Sequence, residues 1–214
     1  MQTKQIFLRG GRVVCPLSNV DAIADVQIAD GRVVAVGENL SGEGQEVDCT
    51  GLVVAPGFVD LGAELCDPGF VWREDLRSGS EAGAAGGFTT VLASPKTDPV
   101  LDTPVAVANA VSEASQVTGA RVLISGALTQ DLKGESLCEV GMMVEAGACA
   151  MSDGRKPVMN SGMLRRALDY VRPFEVPVLM RPGDSELEAA GVMHEGKYSM
   201  LVGMRGIPSA AEEI

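Results

Sequence analysis

From Gly57 onward the chain alternates short apolar runs with amphipathic ones, and that alternation admits very few folds. Phe58–Leu61, Phe88–Ala93, Arg121–Ser125, Ala148–Met151 and Val176–Met180 read as strands. Between them, Glu74–Ala85, the stretch from Thr103 to about Val117, Ser136–Glu145 and Ser161–Val171 read as helices. Local signals agree: Gly86-Gly87 stops the first helix, while Thr103 and Pro104 form a cap and first turn for the second. Met200–Met204 reads as the start of a sixth strand, and a further helix begins at Ala210. Strands joined through helices need crossover connections, which are right-handed and give a parallel sheet. A closed (β/α)8 barrel, or TIM barrel, takes about 250 residues, so residues 56–214 are expected to form only part of one. An open barrel would expose unpaired strand edges. A fragment of a longer protein is therefore the favoured expectation, with an open sheet or completion by a second chain as alternatives.

The N-terminal part reads differently. Gln5–Leu8, Arg12–Cys15, Ala24–Ile28, Val33–Val36 and Leu52–Val54 are short runs rich in Val and Ile, separated by Gly10-Gly11, Asp30-Gly31 and Ser41-Gly42. Asp-Gly between two apolar runs is a strong hairpin signal. Residues 1–55 are thus expected to form a small antiparallel β domain ahead of the barrel domain at 56–214.

Composition excludes several classes of function. With 29 acidic and 17 basic residues the formal net charge is −12, which disfavours nucleic acid and anionic lipid as partners. No run of 18 apolar residues occurs, and the first residues lack a signal peptide's apolar core. The five cysteines are scattered without a C-x-x-C pair, which fits reduced thiols. A cytoplasmic location is expected.

The richest local segment runs from Ala55 to Gly69. Asp60, Glu64 and Asp67 lie within a few residues of one another and could form an oxygen-rich cation site; alternatively Asp60 ties the strand end and Glu64 is solvated. Cys66 is a candidate nucleophile only if a base or cation activates it, and is otherwise an inert thiol. His194, the only histidine, is either a general base or a surface residue.

Pro56-Gly57-Phe58-Val59-Asp60, Asp67-Pro68-Gly69-Phe70, Glu74-Asp75, Ser78-Gly79-Ser80 and Ala84-Ala85-Gly86-Gly87-Phe88-Thr89-Thr90-Val91 resemble segments of dihydroorotases of the amidohydrolase superfamily. So do Pro95, Thr97, Pro99 and Asp102, then Met193-His194-Glu195-Gly196, Gly206-Ile207-Pro208 and Glu212-Glu213. The resemblance covers nearly the whole chain. It implies a small β domain on a barrel that opens cyclic amides with a metal-bound hydroxide, as part of pyrimidine biosynthesis.

The resemblance also implies where site residues belong, and there the chain departs from the family. Two metal-binding histidines fall on Gly62 and Glu64, and a third on Arg181. A substrate-binding arginine falls on Cys66 and an asparagine on Lys96. Only Asp153 keeps a ligand type. Glycine offers no ligand, cysteine cannot form a bidentate pair with a carboxylate, and arginine is always charged. No metal site and no cofactor are expected. The resemblance is therefore nearest to inactive, pseudo-dihydroorotase members, and it implies aspartate transcarbamoylase as partner within an oligomer. Two alternatives stand beside this. One is an active zinc-dependent dihydroorotase, or related cyclic amidohydrolase, with an atypical site. The other is a small-anion binding module using Lys96 and Arg181. In a disused site those two side chains are expected to pair with Asp153 or Asp184.

Overall fold

The computed structural model describes residues 5–213. They fall into two compact units divided between Gly57 and Phe58.

The first unit is a five-stranded sheet of β1 (Gln5–Cys15), β2 (Val20–Ala29), β3 (Arg32–Gly37), β4 (Gln45–Asp48) and β5 (Val53–Val54). β1 and β2 pair antiparallel, as do β2 and β3, the latter through Asp30 and Gly31 at φ 50° and 75°. Two residues at positive φ are what a tight hairpin needs to match the strands' twist. Val13, Ala24 and Val26 form its small core.

Two expectations are corrected here. β4 and β5 pair with β1 in parallel, so the sheet is mixed rather than antiparallel. Gly10-Gly11 is no turn: β1 runs through it, and the register shifts between Leu8 and Gly11. This is a bulge, with Gly10 at φ 66°. A Cβ on Gly11 would lie 2.7 Å from Val54 Cγ2, so the glycine lets β5 approach.

The second unit repeats strand and helix: β6 (Phe58–Ala63), α1 (Leu76–Ala85), β7 (Phe88–Ala93), α2 (Pro104–Ala114), β8 (Arg121–Ala127), α3 (Val140–Glu145), β9 (Ala150–Ser152), α4 (Ser161–Val171) and β10 (Val178–Leu179). The strand order is β10-β9-β8-β7-β6 and every neighbouring pair is parallel. Five strands leave the barrel incomplete over the described residues. Helix starts are chemically marked. Asp75 accepts from Ser78 N at 2.7 Å, Thr103 from Ala106 N at 3.3 Å, and Asn160 from Met163 N at 2.9 Å. Val91, Leu101, Val107, Ile124, Leu128, Met143 and Met151 lie in one buried cluster between sheet and helices.

The chain continues through α5 (Ser185–Glu188), β11 (Met193–His194), α6 (Lys197–Val202), β12 (Gly206–Ile207) and α7 (Ala210–Glu213). Among the described residues β11 and β12 pair only with each other. The expected sixth strand at Met200–Met204 is absent. Its first three residues end α6, and its apolar side chains are exposed, from 56% at Met204 to 76% at Met200. The third helix also starts later than Ser136, because Gln130 N bonds Ser136 O and Leu137 bridges to Thr129. Among the described residues no helix is long and apolar enough to cross a membrane.

Candidate functional site

In a parallel β/α sheet, functional side chains gather where the strands end at their C-termini. Here those ends surround a cavity of about 220 Å³ whose lining includes Gly62, Glu64, Ser94, Ser152, Arg155 and Arg181. Each comes from the end of β6, β7, β9 or β10, or from the loop just after it.

Glu64 is the centre of charge. Its Oε1 lies 3.4 Å from Arg155 Nε and 3.6 Å from Lys96 Nζ. The same oxygen is buried and accepts no hydrogen bond. Lys96 meets Glu64 from the loop after β7 and is not part of the cavity lining. Arg181 does line the cavity, and pairs with Glu188, Nη1 to Oε2 at 3.2 Å and Nη2 to Oε1 at 2.5 Å.

The expected pairing of Lys96 and Arg181 with Asp153 or Asp184 is therefore corrected. Asp153 is 4% exposed and its oxygens are fully engaged. Oδ1 accepts from Leu128 N at 3.0 Å and Thr129 N at 2.9 Å, and Oδ2 from Thr129 Oγ1 at 2.5 Å. Burial pushes its carboxyl above the usual carboxylate range, against the pull of those donors. Asp184 caps α5, accepting from Glu186 N and Leu187 N.

The acidic residues of the Ala55–Gly69 segment form no cation site among the described residues, although Asp60 and Glu64 line a common cavity. Asp60 Oδ1 takes Gly62 N at 2.8 Å, Asp67 Oδ2 takes Leu76 N at 3.4 Å, and Glu64 faces the two cations. Cys66 is 5% exposed at φ 61°, and its thiol donates to Glu64 O at 3.3 Å. Cys138 is a second buried thiol, pushed up to about 12 by burial first and then by Asp102, Asp153 and Asp131. His194 is exposed on β11, within the separate two-stranded ladder.

A catalytic metal does not fit this donor set. Among the described residues no group of three or more His, Cys, Asp or Glu side chains is placed to hold one. The carboxylate in the cavity faces Arg155 and Lys96, and Arg181 on the same lining stands where a neutral donor would be needed. Sequence reasoning missed Arg155, Ser94 and Ser152. Each lies at a strand end or just past it, and that placement was the available signal.

A parallel β/α sheet with its polar cavity at the strand C-termini is a frame found in solved hydantoinases. L-Hydantoinase from Arthrobacter aurescens shares it with a TM-score of 0.65 at 22% identity, over 85% of this chain and 41% of that one. A D-hydantoinase gives 0.67 at 20% identity, over 86% and 41%. In sequence the chain lies nearer another group. A family model described as dihydro-orotase-like matches residues 51–214. Dihydroorotase from Solibacter usitatus is 44% identical over 210 residues, which is 98% of this chain and 49% of the relative. Dihydroorotase from Citrifermentans bemidjiense is 42% identical over 211 residues, 98% of this chain and 50% of the relative. The chain belongs to the dihydroorotase-like family, and it spans about half the length of these relatives.

Proposed function

We propose that this chain is a non-catalytic dihydroorotase-like protein of pyrimidine biosynthesis that acts as a structural partner of aspartate transcarbamoylase. One observation carries the non-catalytic part: Glu64 Oε1 sits between Arg155 and Lys96, with Arg181 on the same cavity. Metal-assisted opening of a cyclic amide needs a cation with an open position, which lowers the pKa of bound water and polarises the carbonyl. An ammonium or guanidinium supplies positive charge but no coordination position. Two side chains that could activate water directly, Asp153 and His194, are engaged or placed elsewhere. Asp153 holds three donors, and His194 sits on β11 outside the five-stranded sheet.

The charge pattern supports the same reading. Lys96 and Arg155 beside Glu64 offset its charge without a metal. The protein then keeps the family's shape, and shape is what assembly requires. The partner is the one that resemblance to inactive dihydroorotases implies.

Co-elution tests this proposal. The chain and purified aspartate transcarbamoylase, mixed at equal concentration, are expected to elute together in size-exclusion chromatography, earlier than either alone. Separate elution across a range of concentrations would remove the partner from the account.

A further inference from the structure

We propose that the cavity at the ends of β6, β7, β9 and β10 binds a compact oxyanion of phosphate type. Its walls carry more hydrogen-bond donors than acceptors. Arg155 and Arg181 bring guanidinium groups; Ser94 and Ser152, each 7% exposed, bring hydroxyls. Each of these hydroxyl oxygens accepts one backbone N–H, Ser94 from Lys96 at 3.4 Å and Ser152 from Gly154 at 2.9 Å. Among the described residues neither hydroxyl donates to a protein acceptor, so each buried group keeps its proton for a ligand. Ser125 lines the same cavity but gives its proton to Ala93 O at 2.5 Å.

Arg181 is held by Glu188, and Arg155 is the cation with donors left over. Glu64 Oε1 lies 3.4 Å from Arg155 and 3.6 Å from Lys96, beyond the ~2.7–2.9 Å of a charge-assisted hydrogen bond. The Arg155 side chain is 80% exposed, so the rest of its guanidinium can reach an incoming anion. These donors arise from three different strand ends. A phosphate-type oxyanion offers more acceptor oxygens than a single carboxylate and so can meet more of them. The earlier pairing of Lys96 with Arg181 is thereby revised: Arg155 takes the place of Lys96, and Glu64 is the internal competitor.

The inference rests on the reading of this cavity as free of a catalytic metal. Calorimetric titration of the whole chain with inorganic phosphate, beside malonate at matched ionic strength, tests it. Saturable phosphate binding at one site is expected, weaker for malonate. Arg155→Ala should weaken it about tenfold, the scale of one charge-assisted hydrogen bond. Ser152→Ala should weaken it less, and Glu64→Gln should tighten it by removing the competing charge. Circular dichroism of Arg155→Ala checks that removing this mostly exposed side chain leaves the fold unchanged. No saturable phosphate binding, malonate preferred over phosphate, or affinity unchanged in both Arg155→Ala and Ser152→Ala would each overturn the inference and leave the functional reading standing. Zinc-dependent turnover of dihydroorotate would overturn both.

Discussion

Asp153→Ala is expected to cost about 3 kcal/mol of folding stability, read as a lower midpoint of urea denaturation. The substitution strands three buried donors: the amides of Leu128 and Thr129 and the Thr129 hydroxyl. Each unsatisfied buried donor costs about 1–3 kcal/mol, reduced where the loop relaxes or water enters. Asp153→Asn should lose markedly less, because its carbonyl oxygen can still accept both amides. The pH dependence has a definite sign. The folded carboxyl is raised above its unfolded value by burial, so its contribution is fully present below the unfolded pKa. It is lost as pH rises through the folded value. Acid therefore should not destabilise the protein through Asp153, and Asn stands in for the protonated form. Equal midpoints for the Ala and Asn variants would show that the carbonyl oxygen holds nothing.

Gly69→Ala is expected to be comparably severe, also about 3 kcal/mol. Gly69 sits at φ 102°, and a Cβ there would lie 2.3 Å from the Asp98 carbonyl oxygen and 2.8 Å from Asp98 Cα. Those are backbone atoms and cannot swing aside. The loop after β6 lies against the loop after β7 at this point, joined by Asp98 N to Pro68 O at 3.0 Å. A strained φ costs about 1 kcal/mol and overpacking about 1–3 kcal/mol more. Gly31→Ala is the control. Gly31 has φ 75° but nothing within 4 Å of the added carbon, so only about 1 kcal/mol should be lost. Equal losses at the two positions would mean that the two loops do not meet as described.

Much of the barrel unit was legible because its periodicity is strong. Phe88–Ala93 and the capped helix from Pro104 carry unambiguous local signals, and both lie where those signals place them. The failures have separate physical causes. β4 was missed because Gln45–Asp48 is exposed throughout and shows no apolar alternation. Met200–Met204 misled because an apolar run was taken for a buried one. Gly10-Gly11 misled because two glycines mark a turn and a bulge alike, and only the strand across the way decides between them.

Legibility of the site divides similarly. Gly62, Glu64 and Arg181 could be singled out because the family resemblance puts metal-binding histidines at those positions. Their partners could not. Arg155 follows Asp153-Gly154 and reads as a solvated turn residue, while the carboxylate it faces lies on the segment after β6. Asp153 looked available to a cation because its identity is visible in sequence and its direction is not. Two backbone amides from the segment after β8 settle that direction.

Dihydroorotate ring opening by the purified chain, measured with and without added zinc, tests the non-catalytic reading most directly. No turnover above the uncatalysed rate in either condition is the predicted result. Zinc-dependent turnover at an enzyme-like rate would contradict it, because Gly62, Glu64 and Arg181 would then have to belong to a working metal site.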